Sequence, residues 1–102
     1  MGFFLNNQGR FAEAEPLYQE ALAVYRHALP EGHPDIAQSL NNLAGLYYGQ
    51  GRFAEAEPLF QEAVGILQQA LGDDHPNTKV VIKNFARFLA DKAARANGSA
   101  SQ

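Results

Sequence analysis

Gly9-Arg-Phe-Ala-Glu-Ala-Glu-Pro-Leu17 returns without a mismatch as Gly51-Arg-Phe-Ala-Glu-Ala-Glu-Pro-Leu59, a displacement of 42 residues. The likeness runs on through Gln19-Glu20-Ala21 and Gln61-Glu62-Ala63, then Ala28-Leu29 and Ala70-Leu71, then His33-Pro34 and His75-Pro76. Across residues 9–50 and 51–92 there are 18 identities in 42 positions. Unrelated segments would share about two or three at average residue usage. The chain is therefore an internal duplication, and its fold is the fold of one unit stacked on the next.

Each unit reads as two helices. In the second copy Phe53, Ala56, Leu59, Phe60, Ala63, Ile66, Leu67, Ala70 and Leu71 recur at spacings of three and four, one apolar stripe on a helix. The first copy carries Phe11, Ala14, Leu17, Tyr18, Ala21, Val24, Tyr25, Ala28 and Leu29 in the same places. Glu55, Glu57, Gln61 and Glu62 lie off the stripe and are expected to face water. A shorter helix carries Ile36, Leu40, Leu43, Ala44 and Tyr47, and its copy carries Ile82, Phe85, Ala86 and Leu89.

The breaks between helices agree. Gly9 and Gly51 suit a left-handed residue between two helices, and Pro30 and Gly72 stop the longer helix. Pro34 and Pro76 fit the first helical position, where a missing N–H costs nothing, and Asp35 follows at the positive end of the helix dipole. Pro16 and Pro58 fall about a turn inside their helices, which predicts a kink or a late-starting first turn.

Composition narrows the function. Hydrophobic residues make up 46% of the chain, with seven Phe and four Tyr, a folding composition. The absence of cysteine rules out disulfides and thiolate metal sites, and makes a reducing, cytoplasmic setting the expectation. A formal charge of -3 and scattered Lys and Arg point away from nucleic acid. No apolar run approaches the ~20 residues of a membrane span, and residues 1–10 do not form a secretory signal.

Leu40, Leu43-Ala44, Tyr47, Ala56, Phe60 and Ala63 together resemble the tetratricopeptide repeat, whose signature spaces a bulky residue, Leu with a small residue, Tyr, Ala and an aromatic in this way. Leu40 stands where that signature has Trp, and Ala44 where it has Gly. The unit of 42 residues exceeds the usual 34, and in this longer form, with Leu40-Asn-Asn-Leu-Ala44 and His33-Pro-Asp35, it is similar to repeats of the kinesin light chain type. The resemblance covers residues 3 to about 90. It implies an all-α helical-repeat solenoid, an α–α superhelix of about five helices and two and a half units. The expected organisation is a truncated first unit over 1–33, a full second unit over 34–75, a capping helix over 76–95 and a disordered tail over 96–102.

The same resemblance implies that the first helix of each pair lines a concave groove that takes a peptide. A helical wheel of the second unit puts Gln38, Asn41, Gly45 and Tyr48 on one flank, with Asn42 on its shoulder. The next unit offers Val80, Lys83, Arg87 and Ala90 there, with Asn84 on the shoulder, and the opening stub offers Phe3 and Asn6. Asn amides can pair with both donors and acceptors of a bound backbone. Tyr48 supplies a flat surface with a polar tip, and Lys83 and Arg87 would favour an acidic side chain or a terminal carboxylate.

Other constellations lead nowhere catalytic. His33 and His75 sit at equivalent loop positions and read as helix-starting residues, and His27 reads as a surface residue. Glu13 with Glu15, and Glu55 with Glu57, are two apart on a helix and cannot form an acid–base dyad. No phosphate loop, metal-protease motif or nucleophile elbow is present. The expected function is thus a protein- or peptide-binding scaffold, with no cofactor, no metal and no catalysis of its own. The second reading is self-association through the open array ends, with Leu17 and Tyr18 on one side and Val80, Val81 and Phe88 exposed on the other.

Overall fold

The computed structural model describes residues 9–101 in backbone and 11–96 in side-chain placement. Among them lie four helices: α1 (Gly9–Ala28), α2 (Pro34–Gly49), α3 (Phe53–Leu71) and α4 (Pro76–Ser101). That is one fewer than expected; the fifth, a stub ahead of α1 that includes Phe3 and Asn6, lies outside the described residues. Helices α2 and α4 begin at Pro34 and Pro76, the two prolines of the His-Pro pairs. The last helix does not stop at residue 95 but continues to Ser101, through a stretch whose Gly and Ser favour loop while its Ala residues favour helix.

Helix starts and stops follow local chemistry. His33 caps α2: its Nδ1 accepts a hydrogen bond from the Asp35 N–H at 3.0 Å. His75 does the same for α4, accepting from the Asn77 N–H at 3.1 Å. Each imidazole satisfies one of the donors that a helix leaves unpaired at its start, the task usually given to Ser or Asp. Replacing His75 with Ala is expected to cost about 1 kcal/mol in urea denaturation, and His75→Asp to restore most of it. Equal losses from the two substitutions would show that the cap bond contributes nothing.

At the other ends, Gly51 and Gly72 adopt φ of 79° and 88°, the left-handed region that closes a helix. Pro58 does not delay α3, which begins at Phe53 and passes through it. The carbonyl left without its partner belongs to Ala54, an exposed residue, so water can satisfy it.

The core follows the repeat, with one correction. In α2, Ile36, Ala37, Leu40, Leu43, Ala44, Leu46 and Tyr47 are all buried, because α2 packs on α1 and on α3. In α4 the buried residues are Thr78, Val81 and Phe88. The expected stripe of Ile82, Phe85, Ala86 and Leu89 is only half-buried or exposed, and Val81 and Phe88 do not form an open far side. The reason is geometric. Thr78, Val81 and Phe88 correspond by the 42-residue shift to Ile36, Ser39 and Leu46, which are buried in α2. The main partner of α4 is α3, whereas α2 packs on both α1 and α3. The buried Thr78 hydroxyl is satisfied by the Leu67 carbonyl at 3.3 Å.

Glu55, Gln61 and Glu62 are exposed as expected, but Glu57 and its copy Glu15 are half-buried and link successive units. The Arg52 guanidinium holds Glu15 at 2.7 Å and Glu55 at 2.7 Å, and lies 4.3 Å over the Tyr47 ring. Tyr47 donates to Glu15 at 3.3 Å and accepts from Gln19 at 3.0 Å, which ties the end of α2 to α1. Hydrogen bonding to Glu55 and then to Glu15 stabilises the charged guanidinium, and the same pairing holds the Glu55 carboxyl below its usual range. Glu57, the copy of Glu15, pairs with Lys92 and ties α3 to α4.

Candidate functional site: an amide-rimmed depression between α2 and α4

On α2, Asn41, Gly45 and Tyr48 are spaced by four and three residues and so line one edge of the helix. They open onto a depression of about 310 Å³, completed by Asn42, by Asn84 and Arg87 of α4, and by Phe60 of α3. The Asn84 amide donates to the Asn41 Oδ1 at 3.4 Å, so the two first helices are joined at the depression by their own amides. Each amide keeps further donors and acceptors for another group. A Cβ built on Gly45 would meet no atom within 4 Å, so the depression is open space beside this residue.

The floor is aromatic and the rim polar. Phe60 stacks on Phe85 with centroids 5.8 Å apart, and Tyr48 stands edge-on to Phe53 and Phe88 at 5.5 and 5.4 Å. This clamp fixes the Tyr48 ring. Burial pushes its phenol above the ordinary value and the neighbouring Asp91 adds to the shift, against the pull of Arg87 and Arg95. The hydroxyl is therefore a proton-bearing donor at any physiological pH.

Five of the seven expected groove residues meet here: Asn41, Asn42, Tyr48, Asn84 and Arg87. Gln38 lines a neighbouring depression instead, with Tyr18, Tyr25 and Asp35 between α1 and α2, and Asn42 borders both. Lys83 is exposed one turn from Arg87 and outside the lining of the first depression. Among the described residues neither Lys83 nor Arg87 has a carboxylate within ion-pair distance. Sequence reasoning missed two contributors. Phe60 belongs to the core stripe, yet its edge reaches the floor. Asp91 lies four residues beyond Arg87 and beside Tyr48, a placement that the i, i+4 rule could have suggested.

With this geometry in view, the comparisons with known proteins are direct. The tetratricopeptide repeat family model matches residues 1–69 and again residues 35–92, so the chain belongs to that family. Its fold and repeats are of the kinesin light chain type: a solved structure of kinesin light chain-type TPR-like repeats from Podosopora anserina is 27% identical, with a TM-score of 0.75. That alignment covers 93% of this chain and 43% of the other, so the chain spans less than half of the structure it resembles. No curated protein matches the chain. Tetratricopeptide repeats are in general protein-interaction scaffolds, and no helix among the described residues is long and apolar enough to cross a membrane.

Proposed function

We propose that the α2–α4 depression is a peptide-binding groove that holds an extended backbone through Asn41, Asn42 and Asn84 and favours acidic side chains through Lys83 and Arg87. The observation that carries this reading is the convergence of three amides, one clamped phenol and one guanidinium on an open site with an aromatic floor. Amides that can each donate and accept give affinity with little demand on sequence, while an unpaired cation at the edge adds selection for charge. Gly45 leaves the room that a peptide backbone needs to approach α2. Asp91, beside Tyr48, sets the acidic preference at the Lys83 side of the site rather than over Tyr48.

The test is a peptide array probed with the full chain and with a Lys83→Glu/Arg87→Glu variant. Acidic peptides are expected to bind the variant at least about tenfold more weakly, as the loss of a charge-assisted contact of about 1.5 kcal/mol implies. Neutral peptides should be little affected. An unchanged ranking of acidic over neutral peptides in the variant sinks the charge preference. An Asn41→Ala/Asn84→Ala variant that still binds every peptide sinks the groove itself.

A further inference from the structure

By the 42-residue shift, one face of α1 and one face of α4 correspond to the two halves of the buried α2–α3 interface. Within the molecule, Ala37 and Leu40 of α2 share a buried cluster with Ala63 and Leu67 of α3, and Ala44 and Tyr47 share another with Ala56 and Phe60. These four residues of α2, none more than 7% exposed, lie along one flank of the helix. They pack against Ala56, Phe60, Ala63 and Leu67 of α3, none more than 2% exposed. The 42-residue shift carries the α2 flank onto Lys79, Ile82, Ala86 and Leu89 of α4. Of these, Ile82 is half-buried and the others are exposed, Leu89 to 39%. The reverse shift carries the α3 face onto Ala14, Tyr18, Ala21 and Tyr25 of α1. Here Ala14 is half-buried and Ala21 exposed, with Tyr18 at 39% and Tyr25 at 41%.

The residues that differ from the inner interface differ in a matched way. Lys79 replaces Ala37, and Tyr25 replaces Leu67, and Ala37 and Leu67 belong to one buried cluster. If α4 lay on α1 as α2 lies on α3, the Lys79 ammonium would arrive at the ring and hydroxyl of Tyr25, where a cation is favoured. Elsewhere Ala86 and Leu89 would meet the apolar face of Tyr18, as Ala44 and Tyr47 share a cluster with Phe60.

We propose that the chain associates head to tail with a second copy of itself, α4 of one molecule docking on α1 of the next in the manner of α2 on α3. The contact joins two different surfaces, so it does not close on itself and continues the solenoid from chain to chain.

Light scattering after size exclusion tests this on the full chain over a wide range of loading concentrations. The mass should rise with concentration beyond that of two chains. Ala86→Arg blocks the α4 face and Tyr18→Arg the α1 face; each variant alone should stay at the 11.1 kDa of one chain. Mixed in equal amounts, they should form a complex of twice that mass and nothing larger, since one open face survives on each. Both positions are exposed, and an unchanged helical circular dichroism spectrum shows that the variants fold. A wild-type mass fixed at one chain, or one that stops at two, overturns the proposal. So does self-association of either variant alone, which would mean a symmetric contact or another surface. The Lys83→Glu/Arg87→Glu variant should still grow with concentration, which separates this contact from the peptide groove.

Discussion

Phe88→Ala is expected to remove most of the stability of the array. The ring is fully buried and touches four other aromatic rings, Tyr48, Phe53, Phe60 and Phe85, with centroids between 5.2 and 6.2 Å away. These rings come from α2, α3 and α4, so Phe88 is where the last helix is held to the pair before it. Truncating a buried Phe costs about 3–5 kcal/mol, against about 5–15 kcal/mol for the whole of a typical domain. Leu89, the next residue, is part of the apolar stripe read from the sequence but is exposed, and Leu89→Ala should cost under about 1 kcal/mol. Urea denaturation followed by circular dichroism checks both. Similar losses for Phe88→Ala and Leu89→Ala would mean that α4 is rotated from the orientation described.

Ala44→Leu should have the second-largest effect, for the opposite reason. Ala44 is fully buried in the cluster that holds Ala56, Phe60 and Tyr47, where α2 crosses α3. Close approach of two helix backbones depends on small side chains at the crossing. Three added carbons must displace Tyr47 or Phe60, or separate the helices, at a cost of about 1–3 kcal/mol. Displacing Tyr47 would also disturb the Glu15 hydrogen bond and the Arg52 contact over its ring. The same substitution at the repeat-equivalent Ala86, which is exposed, should change stability by no more than about 0.5 kcal/mol. Measured at low protein concentration, where no second chain covers Ala86, the pair of variants compares one position in its inner and its outer setting. A harmless Ala44→Leu would show that the α2–α3 crossing is looser than its burial indicates.

The repeat made the helices legible because it supplied two readings of each. Phe53 to Leu71 and its copy gave the same stripe, and the His-Pro pairs fall where α2 and α4 begin. What periodicity could not give was rotation. The apolar residues of α4 spread over a wide arc, and with α3 as its main partner Val81 and Phe88 are covered while Ala86 and Leu89 are not. The carboxylates illustrate a related limit. Glu15 and Glu57 fall off the apolar stripe, and only the approach of the next unit brings Arg52 and Lys92 to them. Of the residues the wheel gathered, Asn41, Asn42, Tyr48, Asn84 and Arg87 line one depression. The wheel placed Gln38 with them because a wheel collapses the length of a helix, and Gln38 lies far enough along α2 to face α1 instead.

The bond between Asn41 and Asn84 also sets a measure along the groove. It links corresponding helices of adjacent units, residues one repeat plus one position apart in sequence. Helices packed side by side lie about 8–10 Å from axis to axis, and an extended strand advances about 3.3 Å per residue. A peptide crossing from α2 to α4 would therefore move three residues for every unit it passes. Because side chains of an extended strand alternate between its two faces, successive units would meet opposite faces of such a peptide, and the same face would return to the same position only at every second unit, about six residues on.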